Sequence, residues 1–402
     1  MVRAYFDNNA SSPLRPEVLE AMRPALDGAY GNASSIHQRG QAAKAALEQA
    51  RAYVAELIGA DASEIVFTSG GTESNNLAIR GAVGEWIACH PNATTLPHLI
   101  TSRIEHHSVL NVVEELERLG HPVTYLRASS DGRIEPAELQ AALRPDTGLV
   151  SIMMANNETG VLQPVAEFAA IARAAQVKFH TDAIQAVAKV PIDVKALRCD
   201  LLSLSGHKFH ACAGVGALYV RRGVRVQAML LGGRHERERR AGSENLPGIV
   251  SLGAAARLDR SDNARLAQLR DRLEQTILTT IPGTGVAGAG QPRVPNTTDI
   301  YFDGIEGEAL VIALDLHGFC VSTGAACTSG AIAPSHVLLA MGYPRPRARA
   351  SLRFSLGHQN TADEVDALLE VLPSLVERQR RLASPQHQLA PSTPASGMAR
   401  SA

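Results

Sequence analysis

The sequence is short of net charge, of paired cysteines and of long apolar runs, and each shortage excludes a class of function. Lysine and arginine number 39 against 40 aspartates and glutamates, a formal net charge of -1. No overall field therefore draws the chain to nucleic acid or to an anionic membrane, and a small substrate is expected over a polymeric one. The five cysteines, Cys89, Cys199, Cys212, Cys320 and Cys327, are scattered without a CxxC pair. That excludes a disulfide framework and the usual zinc spacings. No stretch reaches the roughly 18 consecutive apolar residues of a membrane span. The opening MVRAYFDNNASSPLRP lacks the basic start and apolar run of a secretory leader. Triplets such as Asn32-Ala33-Ser34 then have no compartment in which to be glycosylated, and a cytoplasmic location is expected.

What is present is a chain of 402 residues, 45% hydrophobic and 20% charged. That composition is ordinary for a globular protein, and the length exceeds the roughly 250–300 residues that one core organises. Two domains are expected. Apolar and β-branched runs over 64–70, 98–102, 122–127, 148–156, 177–182, 200–206 and 216–220 read as strands, with helical spacing between them, as in 109–120 and 165–176. Strands alternating with helices predict βαβ units and a mostly parallel α/β sheet covered on both faces. Beyond residue 250 the rhythm changes. A single long helical stretch over 248–278 leads to shorter strand and helix signals and a closing helix over 362–382, the pattern of a smaller α/β domain. Residues 384–402, rich in Pro, Ser and Ala, have no periodicity and read as a disordered tail.

Ligands of an open parallel sheet bind at the carboxyl ends of its strands, so polar residues there carry the most information. Ser69-Gly70-Gly71-Thr72 follows a strand and opens a helix. Small residues let backbone N–H groups reach a phosphate, and a helix N-terminus favours the anion by ~0.3–2 kcal/mol. The same turn reads equally as an ordinary connection capped by Thr72, and it is not a P-loop. Asp182 and Gln185 follow the strand over 177–182. A carboxylate there caps the next helix, or pairs with a buried cation such as a protonated pyridine. Two unit charges ~4 Å apart interact by about 4 kcal/mol at an effective dielectric near 20.

Lys208 lies with Ser205 and His207 in SLSGHKFH, a glycine-containing turn between two apolar strands, although lysine usually snorkels outward. A solvated amine is the plain reading of any one lysine. A partly desolvated lysine has a lowered pKa and can form a Schiff base, and the neighbouring strand ends favour that second reading. Cys327 stands in VSTGAACTSGAIAPSH (321–336), a run with almost no apolar anchor. An exposed loop is expected, and a free thiol in it points to nucleophilic sulfur chemistry. Cys89, Cys199 and Cys320 have apolar neighbours and are expected to be core thiols, while Cys212 is undecided. Three further signals are weak. Gly283 to Gly288 spells a dinucleotide fingerprint but opens no helix. His106 and His107 are adjacent and cannot share a helix face as metal ligands. RHERERR (234–240) carries two glutamates and reads as a structured loop over a nucleic-acid arm.

Taken in order, FDNNASSP, FTSGGTESNNLAI, EHHSVL, NNETG, HTDAIQAVAKVPID, LSLSGHKFHACAGVGALYVR, GGRHERERRAGSEN, ACTSG with PSH, and RFSLG resemble the cysteine desulfurases of the NifS/IscS type, within the class V aminotransferase group. The likeness runs from Tyr5 to Val371. It implies fold type I of the pyridoxal-phosphate transferases, with a large domain on a mostly parallel seven-stranded sheet and a smaller C-terminal α/β domain. The large, cofactor-binding domain would span 13–257. The small domain would comprise 1–12 and 258–383 and carry the Cys327 loop.

The resemblance also implies roles. Lys208 would carry pyridoxal 5'-phosphate as a Schiff base and act as the base at the substrate Cα. Asp182 would pair with the pyridine nitrogen and Gln185 with the phenolic oxygen. His106 would stack on the ring and assist proton transfer. Gly71, Thr72, Ser205 and His207 would hold the phosphate, joined across a homodimer by Ser243 from the other subunit. Asn157, which also touches the cofactor, and Arg353 would bind the carboxylate of L-cysteine, Arg353 as a planar fork. Cys327 would take the sulfur as a persulfide, release alanine, and pass the sulfur to an iron–sulfur scaffold or another acceptor protein. Its persulfide is also the candidate iron–sulfur ligand.

Ser243 stands where threonine is commoner, and Gly71 where alanine is frequent. ACTSG with PSH resembles the long-loop branch, and the NNA of FDNNASSP is nearer the nitrogen-fixation variety than the housekeeping one. The tail is unlike the scaffold-binding end of the housekeeping enzymes. The rivals are an aminotransferase or selenocysteine lyase of the same fold, and a sulfur carrier whose main task is binding partners. An aminotransferase needs no thiol. A dehydrogenase has only the misplaced glycine triplet behind it.

Overall fold

The computed structural model describes residues 4–28, 31–324 and 333–383. In chain order the first half runs β1 (Ala4–Tyr5), α1 (Pro16–Leu26), α2 (Gln38–Leu57), β2 (Ile65–Thr68), α3 (Gly71–Cys89), β3 (His98–Ser102), α4 (His107–Arg118), β4 (Val123–Leu126), α5 (Pro136–Ala142), β5 (Thr147–Ser151), α6 (Val165–Ala174) and β6 (Lys178–Asp182). The second half runs α7 (Val194–Leu197), β7 (Leu201–Ser205), β8 (Gly216–Val220), α8 (Leu246–Ala256), α9 (Asp262–Thr280), β9 (Thr284–Val286), β10 (Thr297–Phe302), α10 (Gly307–Leu316), β11 (Phe319–Cys320), α11 (His336–Ala340), α12 (Arg345–Arg349), β12 (Ser351–Ser355) and α13 (Ala362–Ala383).

Seven strands form one sheet in the order β2-β8-β7-β6-β5-β3-β4. Only β8 runs against its neighbours, β2 and β7; the other pairs are parallel. The carboxyl ends of β2, β3, β5, β6 and β7 therefore share one edge. Side chains alternate along a strand, and each strand divides its apolar residues between two cores. Ile65, Ile100, Val150, Leu202 and Tyr219 face one side, packed with Val54 of α2 and Phe168 of α6. Val66, Leu99, Leu149, Leu201 and Leu218 face the other, beneath Leu77 of α3 and Val113 of α4. With both faces covered, the strands read as continuous apolar runs. Each fully buried Leu, Ile or Val contributes about 1.5–3 kcal/mol.

A second sheet, antiparallel in the order β12-β10-β9, has its own core. Ile300, Leu352 and Phe354 pack there against Leu273 of α9, Leu310 of α10 and Leu372 of α13. Ala4 and Phe6 join this core, so the chain begins on the second layer before crossing to the first.

Two expectations need correction. The single helical stretch over 248–278 is two helices, α8 and α9. Between them Asp259 accepts from the Ser261 amide at 3.0 Å and its hydroxyl at 2.6 Å, a local turn that competes with helical bonding. Cys199 is a buried core thiol, pushed up to about 12 by burial. Cys89 is exposed, because it ends α3 beyond the sheet, where its apolar neighbours Ile87 and Ala88 are exposed as well. Cys320 and Cys212 are half-buried.

Candidate active site

The carboxyl edge of the seven-stranded sheet and the second layer enclose a cavity of about 590 Å³, a size typical of small-molecule sites. Gly71 and Thr72 open α3 on one wall. His106 and Asn157 come from the ends of β3 and β5, Asp182 and Gln185 from β6, Ser205, His207 and Lys208 from β7, and Arg353 from β12 across the cleft. All ten line the cavity. Ser243 does not: it is exposed, outside the lining. Cys327 lies outside the described residues, but Gly324 and His336 on either side of it reach the cavity wall.

The phosphate-sized end is built by close backbone approach. A Cβ on Gly71 would lie 2.2 Å from Ile184 Cδ1, and one on Gly216 would lie 2.7 Å from the Gly70 Cα. Glycine at 71 makes room for Ile184 just after β6, and glycine at 216 lets β8 and the start of α3 converge. The first N–H groups of a helix have no partner within it, and the start of α3 lies beside Ser205, in the cavity that His207 also lines. Burial and the nearby Lys208 push His207 down to about 4, so its ring is neutral at pH 7.

Asp182 is a buried carboxylate that accepts from Asn75 Nδ2 at 2.7 Å and from the Ile184 amide at 2.9 Å. Burial raises its pKa, opposed by the Ile184 amide bond and by His106. No cation pairs with it directly among the described residues, which fits a site that receives a protonated ring nitrogen. The Asn75 amide also donates to Ser108 Oγ at 2.8 Å. Ser108 donates in turn through its amide, at 3.1 Å, and its hydroxyl, at 2.8 Å, to His106 Nδ1. Nδ1 is thus an acceptor, the proton sits on Nε2, and the imidazole is held in one tautomer. Burial lowers the His106 pKa, so the neutral form prevails.

Lys208 Nζ donates to the carbonyls of Asn9 and Ala10, both at 2.8 Å. Burial and then Arg353 push it down to about 8, so a free-amine fraction exists near neutrality. Arg353 is buried; its Nη2 pairs with Asp7 Oδ1 at 2.7 Å and its Nη1 donates to the Asn157 carbonyl at 2.9 Å. Among the described residues the Nε of Arg353 and the Oδ1 of Asn157 are buried without a partner, one free donor and one free acceptor.

Asn9 ties the two layers together. Its Nδ2 donates to the Asn157 carbonyl at 3.2 Å and to Thr297 Oγ1 at 2.9 Å, and its carbonyl accepts from Lys208 and from Gln185 Nε2. Behind His106, Glu105 is wholly buried and accepts from Ser102 Oγ at 2.7 Å and the Met153 amide at 3.0 Å. Burial pushes its carboxyl up to about 8. A folded-state pKa above the unfolded value means the fold binds the extra proton. The associated stability is full below about 4.5 and is lost as pH rises through about 8. Glu105→Gln removes that loss. Its melting temperature relative to the parent should climb between pH 5 and pH 9 in thermal scans; a difference flat in pH contradicts the neutral-acid assignment.

Sequence reasoning assigned no role to Asn9, Asn75, Glu105 or the Lys189 amine behind Gln185. Asn9 was within FDNNASSP, whose only readable signal was its two adjacent asparagines. Among the described residues no cluster of three or more His, Cys, Asp or Glu side chains could hold a metal, and His106 and His107 make none.

The model of the aminotransferase class-V family matches residues 4–368. The chain belongs to the class V aminotransferase family. It is 49% identical over 382 residues to "Cysteine desulfurase 2" of Trichormus variabilis, with 94% of each chain covered. Among solved structures it is similar to a "NIFS-like protein" at 35% identity and a TM-score of 0.86, covering 94% of this chain and 100% of that one. It is also similar to "SspA in complex with cysteine" at 35% identity and a TM-score of 0.78, covering 88% and 98%. The class V aminotransferases and their desulfurase branch are pyridoxal-phosphate enzymes, and their fold type I is the architecture found here. No helix among the described residues is long and apolar enough to cross a membrane.

Proposed function

We propose that the chain is a pyridoxal-phosphate-dependent cysteine desulfurase that takes sulfur from L-cysteine, leaving L-alanine and a persulfide on Cys327. The observation that carries this reading is one cavity joining a lysine of depressed pKa, a buried carboxylate and an arginine fork. It stands in a chain whose curated relatives carry the desulfurase name.

When bound, the cofactor supplies an electron sink that makes the substrate Cα proton acidic and Cβ–Sγ cleavage accessible. The residues do the rest. Gly71, Thr72, Ser205 and His207 would hold the phosphate, Asp182 would pair with the ring nitrogen, and Gln185 with the phenolic oxygen. Arg353 and Asn157 orient the substrate carboxylate, Arg353 as a fork that Asp7 already holds flat. Lys208 anchors the cofactor and moves the Cα proton. His106 would stack on the ring, with its Nε2–H as a donor. Sulfur transfer balances without an external oxidant: the Cβ–Sγ bond breaks, Cβ gains a proton, and the Cys327 sulfur gains the S–S bond.

Arg353→Lys places one point charge where a fork holds two oxygens. Losing one charge-assisted bond of about 1.5–3 kcal/mol should raise KM for L-cysteine roughly 10–100-fold, with a smaller effect on kcat. An unchanged KM removes Arg353 from the carboxylate site.

The same reading includes a homodimer in which Ser243 reaches the phosphate of the other subunit, and domains of 13–257 and of 1–12 with 258–383. The loop bearing Ser243 is anchored at Glu236, whose carboxylate meets the buried Arg51 at 2.7 and 2.8 Å, and at Arg240, which pairs with Glu73 of α3. A cytoplasmic location, an iron–sulfur scaffold as acceptor and a place in nitrogen fixation belong to this reading too. The test is to supply cofactor-loaded protein with L-cysteine and a thiol reductant. Equal amounts of alanine and sulfide support the reading, and neither product overturns it.

A further inference from the structure

Lys189 is a lysine without an acid. Its Nζ donates to Gln185 Oε1 at 2.6 Å and to Asn9 Oδ1 at 2.8 Å, and no carboxylate pairs with it among the described residues. The amine is enclosed by protein, with its remaining accessible surface turned to the clefts behind the site. The nearest charges it feels are those of Lys208 and Arg353, both repulsive, and burial lowers its pKa well below the usual lysine range. An amine so placed costs stability, so its two hydrogen bonds must serve something else.

Both amides are held at their opposite ends by carbonyl oxygens, which only accept. Gln185 Nε2 donates to the Asn9 carbonyl at 3.0 Å, and Asn9 Nδ2 donates to the Asn157 carbonyl at 3.2 Å. Asn9 Oδ1 has a second donor in Asn296 Nδ2 at 3.2 Å, whereas among the described residues Gln185 Oε1 accepts from the Lys189 amine alone, with its amide nitrogen turned to the site. Gln185 has two N–H donors, of which Asn9 takes one. The second remains for the cavity that Gln185 lines.

We propose that Lys189 is a positioning residue that locks the Gln185 amide nitrogen-inward, so that the site presents a donor and not an acceptor to the phenolic oxygen of the cofactor. The inference rests on the reading of Gln185 given above. Without the Lys189 amine, Gln185 Oε1 becomes a buried acceptor with no donor. The amide then leaves its position, and the negative charge on the phenolic oxygen loses its hydrogen bond. The protonated Schiff-base nitrogen beside that oxygen gains by comparison.

The experiment is a pH titration of the visible absorbance of cofactor-loaded protein, alongside the dissociation constant for pyridoxal phosphate and thermal melting. Lys189→Met, which keeps the stem and removes the donor, should raise the absorbance pKa by about one unit, a tenfold change in proton affinity. It should weaken cofactor binding several-fold. Lys189→Arg retains donors and should restore the parent value at least in part, and it carries the test if the methionine variant does not fold. A methionine variant that binds cofactor with an unmoved pKa, or merely melts lower, overturns the inference and leaves the desulfurase reading standing. A parent protein that binds no pyridoxal phosphate overturns the desulfurase reading itself.

Discussion

Lys208→Ala should lower turnover of L-cysteine by at least about 10³–10⁴-fold, near the upper end of what a positioned base supplies, while leaving the cofactor bound. Two separate functions are lost. On the proposed reading the amine anchors the cofactor covalently and carries the Cα proton. Both depend on desolvation, which together with Arg353 holds its pKa near 8. Among the described residues its hydrogen bonds go to the neutral carbonyls of Asn9 and Ala10, and the more distant Asp7 and Asp182 raise the pKa by less than burial and Arg353 lower it. The phosphate turn at Gly71 and the Asp182 carboxylate are untouched by the change. Cofactor should still co-purify, but borohydride should no longer fix it to the chain, and a small added amine should return part of the proton-transfer rate. A variant retaining a tenth of parent activity contradicts the role of Lys208.

Cys327→Ser should lower alanine formation by about 10²-fold or more, with cofactor binding and absorbance unchanged. Among the described cysteines no other thiol lines the cavity. Cys199 is buried and pushed up to about 12, which leaves essentially no thiolate at neutral pH. Cys89 ends α3, remote from the carboxyl edge of the sheet, and Cys212 lies against Ser251 Oγ at 3.1 Å. A hydroxyl at position 327 cannot accept a sulfur atom to form a stable persulfide, so the substrate sulfur has nowhere to go. Steady alanine release by the serine variant would make the enzyme a lyase that passes the sulfur directly to solvent.

The central sheet was legible because its strands are buried on both faces and so appear as uninterrupted β-branched runs with turns between them. The ends of those runs delivered Gly71, His106, Asp182, Ser205 and Lys208 to one edge, and the parallel pairing followed from the intervening helices. What stayed hidden depends on contacts distant in sequence. Asn9 acts through Asn157, Gln185, Lys208 and Thr297, which no local pattern can connect to it. Asn75 reads as one more polar residue in a helix until β6 and α4 are packed against it. Glu105 reads as an exposed acid beside two histidines, yet the end of β3 turns it fully inward. The break between α8 and α9 was missed because helical periodicity carries across it, while the Asp259–Ser261 turn that ends α8 is a hydrogen-bonding event. For Cys89 the reverse holds: its apolar neighbours suggest burial, but they extend past the sheet into solvent.

The most direct test of the central claim is a single turnover without reductant. Cofactor-loaded protein is mixed with one equivalent of L-cysteine, the alanine released is measured, and the mass of the peptide containing Cys327 is read. The account predicts one alanine and one added sulfur atom on Cys327 for each active site. Alanine without sulfur on that peptide, or sulfur on a different cysteine, would contradict it.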